Sequence, residues 1–124
     1  MREVSAYTDT VVSGDCIDEL LGGYYDHLPP AGERAFRRRL ADLIPGHLEP
    51  LEACSSAFGV RVLLPYGDTE FMRACSVFGF NEMVAGRERK RPVYDLARRH
   101  GVMEGVLLRR KRGLVSALDE GPST

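Results

Sequence analysis

The chain has 124 residues, of which 44% are hydrophobic and 28% are charged, and its formal net charge is −1. This composition is ordinary for one globular domain, includes no apolar run near the ~20 residues that span a bilayer, and gives no overall field that favours nucleic acid or a membrane surface. The three cysteines lack metal-ligand spacing and predict reduced, buried thiols. With no apolar segment after Met1 to indicate a signal peptide, we expect a cytoplasmic protein.

The first stretch that indicates a site is VVSGDCIDELLGGY, residues 11–24. It predicts a short strand, a Ser-Gly turn, and a helix over about residues 15–21. Asp15 and Asp18 stand three positions apart, so both carboxylates can face one side of the first helical turn. Two carboxylates and a substrate phosphate are a common way to hold Mg²⁺. The alternative is an acidic helix start that only complements the helix dipole.

Two further helices are predicted in the middle of the chain. The segment GERAFRRRLADLI has an apolar stripe and should end at Pro45-Gly46. The residues of this stripe are Phe36, Leu40, Leu43 and Ile44. A strand is expected over residues 60–64, followed by a helix that Asp68 caps. The residues of that helix expected to face a core are Phe71, Ala74, Cys75 and Phe78.

The segment from Gly86 to Leu114 allows two interpretations. One is a helix-turn-helix motif followed by arginines, which would predict DNA binding. The residues at its small, turn and core positions are Leu96, Ala97, Gly101, Val102 and Leu107. The other interpretation depends on a resemblance that covers about residues 11–115.

Residues 13–24 resemble the signature S-G-x-G-x-D-E-x-x-G-G-Y of the asparagine-synthetase-like amide ligases, a group that includes β-lactam synthetases and lasso-peptide cyclases. The matching residues are Ser13, Gly14, Asp18, Glu19, Gly22, Gly23 and Tyr24. Asp15 stands where this family often has Glu, and Cys16 replaces the second glycine of the signature.

Two more blocks are similar to the same family. Residues 52–68 are similar to D-R-x-S-M-A-x-G-L-E-x-R-x-P-F-L-D, with matches at Ser55, Ala57, Gly59, Pro65 and Asp68. Residues 90–114 are similar to K-x-P-L-R, a spacer, and P-x-x-V-L-x-R-x-K-x-G-F, with matches at Lys90, Pro92, Val106, Leu107, Arg109, Lys111 and Gly113. Ala53, Arg61 and Leu63 depart from charged family positions, which puts the substrate side of the pocket in doubt.

The resemblance implies a fold and a reaction. The chain would be mostly α with one or two short strands, at Val11 and Val60. Residues 1–118 would form the C-terminal half of an α/β adenine-nucleotide α-hydrolase-like (PP-loop) synthetase domain, and residues 119–124 a disordered tail. Such enzymes adenylate a carboxylate with ATP and Mg²⁺, release pyrophosphate, and let an amine attack the acyl-adenylate.

The resemblance also implies a role for each matching residue. Asp18 would ligate Mg²⁺, and Lys90 would be the catalytic lysine that neutralises negative charge in the transition state. Asp15 would orient the amine or accept its proton. The residues implied to bind the nucleotide are Ser13, Gly14 and Glu19. From residue types alone, the preferred interpretation of Lys90 is a solvated member of the basic run Arg87–Arg91.

One family feature is missing from this sequence. The Gly-rich loop S-G-G-x-D-S, whose backbone amides cradle the pyrophosphate, does not occur in it. We therefore predict a split enzyme, in which a second polypeptide carries that loop and the chain that begins at Met1 is a separate reading frame. The alternatives are a degenerate fragment that acts as a binding or regulatory protein, and the small DNA-binding protein described above.

Overall fold

The computed structural model describes residues 1–107 and residue 109. The chain divides into two compact units, Met1–Val93 and Tyr94–Thr124. Lys111 and Gly113 of the third block, the predicted domain end at residue 118 and the predicted tail all lie outside the described residues. In the part of the chain that is described, no helix has the length and apolar character that crossing a membrane requires.

The described chain is mostly helical, as predicted. The helices are α1 (Arg2–Ser5), α2 (Ile17–Leu20), α3 (Gly32–Asp42), α4 (Glu49–Ala57), α5 (Thr69–Cys75), α6 (Phe80–Met83), α7 (Arg91–Arg99) and α8 (Glu104–Leu107). A π-helical turn, Leu43–Leu48, joins α3 to α4, and 3₁₀ turns cover Tyr25–His27 and Pro65–Gly67. Helix α2 is shorter than predicted because Cys16, with a left-handed backbone, precedes it.

Two short strands, β1 (Thr10–Val12) and β2 (Arg61–Leu63), form a parallel pair in which Val11 lies opposite Val62. The strand at Val11 is confirmed, and the second strand begins one residue after Val60. Each of the two strands is hydrogen-bonded to the other along one edge only. Among the described residues, no third strand pairs with either outer edge.

The predicted end of α3 at Pro45-Gly46 is wrong. Proline has no N–H for the bond to the carbonyl four residues earlier, so an ordinary α-helix cannot pass through it unchanged. The backbone instead widens into the π turn and continues directly into α4. This turn places His47 close to the predicted site.

The small core of the first unit consists of Leu21, Phe36, Cys75, Met83 and Val84. The apolar stripe predicted for α3 is only half buried, because Leu40 and Ile44 are exposed. In α5, Cys75 is buried and Phe71 packs on the core, but Ala74 is exposed. Phe78, three residues after the end of α5, is also exposed. The elements that cover α3, namely α2 and the Tyr25–His27 turn, are each about one turn long and cannot cover a whole stripe.

The N-terminal cap of α5 is confirmed. The Asp68 carboxylate accepts hydrogen bonds from the backbone N–H groups of Glu70, at 2.8 Å, and Phe71, at 3.4 Å. We expect Asp68→Ala to lower the free energy of unfolding by about 1 kcal/mol, because two N–H groups lose their acceptor. Urea denaturation measures this, and Asp68→Asn, which keeps a capping oxygen, should retain most of the stability. Equal losses in both variants would contradict the capping role.

After α7, in the second unit, the chain turns at Gly101, which has a φ of 75°, and Val102 N–H donates a hydrogen bond to the Ala97 carbonyl at 3.0 Å. This is a glycine-terminated helix end. Two residues that a helix-turn-helix motif would bury are exposed, Leu96 at 56% and Val102 at 38%. The described part of this unit therefore gives the DNA-binding alternative little support.

Candidate functional site

An ion pair joins the first and third family-like blocks. Lys90 Nζ lies 2.5 Å from Asp18 Oδ1, and their side chains are only 17% and 16% exposed. Asp18 lies on α2, and Lys90 directly precedes α7. Two residues from separate parts of the sequence, each assigned a role by the resemblance, therefore lie in contact. Both charged groups are shielded from solvent.

The backbone on both sides of this pair is unusual. Lys90 has a φ of 50°, in the left-handed region that residues with a side chain seldom adopt. Across from it, a Cβ atom at Gly23 would overlap the Asp18 carboxylate, so a side chain there would displace the ion pair. Arg89 Nη1 donates to the Gly23 carbonyl at 2.5 Å, and this bond ties the Lys90 segment to the Gly22-Gly23 turn. Strained backbone that its surroundings hold in place is common at functional sites.

Glu19 is buried beside this pair. Its carboxylate accepts a hydrogen bond from the Tyr24 hydroxyl, and Arg39 stacks over the Tyr24 ring at 4.1 Å. Burial, and then the bond to Glu19, raise the pKa of Tyr24 above its usual value, so the phenol stays protonated and donates. Glu19, implied by the resemblance to bind nucleotide, is thus engaged inside the protein by Tyr24.

Asp15 forms a second group, which includes one residue that the sequence did not indicate. Asp15 Oδ2 accepts a hydrogen bond from Ser13 Oγ, and Asp15 Oδ1 lies 3.1 Å from His47 Nε2. The Asp15 and His47 side chains are 32% and 43% exposed. Gly14 directly precedes Asp15, and a Cβ atom added to it would meet no atom beyond its chain neighbours within 4 Å. A larger residue would therefore fit at this position. The π turn that brings His47 here leaves no simple pattern in the sequence.

Cys16, which stands at the family's second glycine, has a φ of 81° and a fully buried side chain. Burial, followed by the nearby charges of Glu19 and Asp15, raises the pKa of its thiol, so the sulfur remains neutral. The turn keeps the left-handed conformation that glycine adopts without strain, although the residue is not glycine.

Because of this conformation, we expect the glycine variant at position 16 to be more stable than the alanine variant, which is the opposite of the usual order. Cys16→Ala and Cys16→Gly both remove the thiol, but only glycine relieves the left-handed strain, so the glycine variant should be the more stable by about 1 kcal/mol. Urea denaturation of both variants checks this. Cys54, exposed in α4, is the matched control, and there alanine should be the more stable by about 1 kcal/mol. The same order at both positions would contradict the argument.

An open groove of ≈ 640 Å³ lies beside β2 and α4. Its lining residues are Leu48, Leu51, Glu52, Ser55, Ser56, Gly59, Val60, Arg61, Val62 and Leu64. It includes part of the second family-like block and one of its departures, Arg61, but neither Asp15, Asp18 nor Lys90. The groove and the ion pair are therefore separate features of the first unit.

A magnesium ion needs several oxygen ligands, and the ligand predicted from this chain is Asp18. Among the described residues, no group of three or more His, Cys, Asp or Glu side chains is placed to hold a metal ion. The Asp18 carboxylate itself is engaged by Lys90. The prediction that Asp18 ligates Mg²⁺ remains a prediction, which requires further ligands from a partner and from phosphate.

Comparison of this chain with models of protein families, with curated proteins and with solved structures finds no match.

Proposed function

We propose that this chain is the small subunit of a split, asparagine-synthetase-like ligase that forms an amide bond from a carboxylate and an amine at the expense of ATP. A partner polypeptide would supply the Gly-rich ATP-binding loop and the rest of the sheet. The chain would then be the C-terminal half of a PP-loop synthetase domain, and ATP and Mg²⁺ would be shared across the two chains.

The observation that carries the proposal is the ion pair between Asp18 and Lys90. The resemblance assigns charge-handling roles to these two residues from separate motifs, and their charged groups lie 2.5 Å apart in a shielded position. A lysine is a compact cation on a flexible stem, which suits it to follow a negative charge as it develops. The pair is also held by an unusual backbone, with Lys90 at a φ of 50°.

The two-stranded sheet supports the need for a partner. A two-stranded unit is marginal by itself in water, and sheets normally have more strands. Val12, on β1, is 70% exposed and Leu63, which lies opposite it on β2, is 43% exposed. Apolar side chains and open strand edges together favour pairing with another chain.

The test begins with co-purification of the tagged full chain from its native cell. We expect a stoichiometric partner that contains S-G-G-x-D-S, and conversion of ATP to AMP and pyrophosphate only when both chains are mixed with carboxylate and amine substrates. Lys90→Ala should abolish this turnover. Arg87→Ala is the matched control, because Arg87 is an exposed cation three residues away, and it should retain activity.

Two outcomes would overturn the proposal. If the partner turns over ATP equally well without this chain, the chain is a binding or regulatory fragment instead. If the Lys90→Ala complex keeps full turnover, the role assigned to Lys90 is wrong.

A further inference from the structure

We infer that the proton acceptor of this site is His47 through its Nδ1 atom, and that Asp15 is a positioning residue that holds the imidazole. The inference rests on the proposed function, because it specifies how the attacking amine loses its proton. It also reassigns Asp15, for which the resemblance alone implied the role of base.

The two oxygens of Asp15 both have partners in this chain. One accepts a hydrogen bond from Ser13 Oγ, and the other lies 3.1 Å from His47 Nε2. A carboxylate whose two oxygens each accept a hydrogen bond has lone pairs directed at those two donors. Asp15 is therefore suited to hold a neighbour in place.

The partner in that contact must be the donor. An ionised carboxylate only accepts hydrogen bonds, so the hydrogen between the two groups belongs to His47 Nε2. A neutral imidazole carries one hydrogen, which leaves the lone pair on Nδ1. Asp15 thus selects the tautomer in which Nδ1 carries the lone pair that can accept a proton.

Position and access agree with this role. The imidazole is 43% exposed, so a substrate can reach it, whereas His27 is fully buried. His47 belongs to the π turn, and such turns inside helices are frequent at functional sites. Histidine also titrates close to neutral pH, where a general base is most effective.

The step balances without an additional reactant. The amine nitrogen attacks the carbonyl carbon of the acyl-adenylate and forms the new C–N bond. The bond from that carbon to the phosphate oxygen breaks, and AMP leaves with its electron pair. The proton released by nitrogen is taken up by His47 Nδ1 and is later lost to solvent.

The first experiment needs only the full chain. Long-range ¹H–¹⁵N NMR spectra at about pH 8, where ordinary histidines are neutral, distinguish a protonated from a bare ring nitrogen. We expect His47 to show a protonated Nε2 and a bare Nδ1. In Asp15→Ala, which removes both acceptor oxygens, it should revert to the mixture of tautomers typical of a free histidine. A bare Nε2 in the wild-type chain would overturn the inference, whether or not the variant folds.

Two other histidines of the chain serve as internal controls for this measurement. His27 accepts a hydrogen bond at Nδ1 from Tyr24 N–H at 3.3 Å, so it should show the same tautomer and keep it in Asp15→Ala. His100 is exposed and should be unaffected by the substitution. A change at all three histidines would mean that Asp15→Ala disturbs the whole chain. Ser13→Ala, which leaves the Asp15 carboxylate in place, would then be measured, and His47 should keep its tautomer in it.

The second experiment uses the complex with the partner chain. His47→Ala should lower kcat by about 10²-fold or more with little change in KM, and added imidazole should restore part of the rate. His100→Ala should leave the rate unchanged. Full turnover of His47→Ala would overturn the inference, whereas a wild-type complex that makes no AMP would overturn the proposed function and leave the tautomer measurement to decide how His47 is held.

Discussion

Lys90→Met is expected to lower the free energy of unfolding of this chain by about 3 kcal/mol, because it removes the cation that neutralises a shielded carboxylate. Asp18 and Lys90 are each less than one-fifth exposed, so water replaces the lost interaction poorly. Methionine is chosen because it retains the apolar stem and the backbone strain at position 90. Urea denaturation of the two proteins measures the difference.

A double-mutant cycle separates the ion pair from the cost of each substitution. Asp18→Asn should also lower the free energy of unfolding. The double variant should lower it by clearly less than the sum of the two single effects, because it leaves neither charge without its partner. Arg87→Met, at an exposed cation of the same segment, should change stability by less than about 0.5 kcal/mol. Additive losses at positions 18 and 90 would show that the pair is not coupled.

The ion pair has a consequence for ligand binding under the proposed function. Lys90 occupies the charge-neutralising position on Asp18 that the family resemblance assigns to a metal ion. Binding of phosphate and of the partner would have to draw the ammonium group away from Asp18 before that carboxylate could serve a metal. A lysine suits this movement because its long stem allows the charge to shift without movement of the backbone.

The parts of the fold that the sequence predicted are those determined by near neighbours in the chain. The strand at Val11 follows from β-branched residues, and the cap at Asp68 follows from one side chain and the two amides after it. The proximity of Asp18 and Lys90 is not local. It was expected only because the resemblance placed both residues in one site.

The features that the sequence did not predict depend on backbone geometry. Pro45 indicates a helix end by every local rule, yet a π turn carries the chain past it and brings His47 to Asp15. Cys16 indicates an ordinary side-chain position, yet its φ is 81°. The half-exposed face of α3 has a similar origin, since its spacing predicts an apolar stripe but not the short length of the elements that cover it.

Acid is expected to destabilise this chain through His27, which is completely buried against Tyr24 and Phe36. Its Nε2 lies 3.9 Å from Asp26 Oδ1. Burial, the largest cause, lowers its pKa from the ordinary value of 6.5, and the opposing effect of the nearby Asp26 carboxylate is smaller. The folded chain therefore resists protonation of this ring.

The sign of the effect follows from which state binds the proton first. Below pH 6.5 the unfolded chain protonates His27 while the folded chain does not, so stability falls with decreasing pH until the lowered folded-state pKa is reached. His27→Gln cannot titrate but keeps an acceptor for Tyr24 N–H. Its stability, measured by urea unfolding, should therefore depend less on pH below 6.5 than that of the wild-type chain. His100→Gln should not, and equal pH slopes in the wild-type and His27→Gln chains would exclude His27 as the origin of the acid sensitivity.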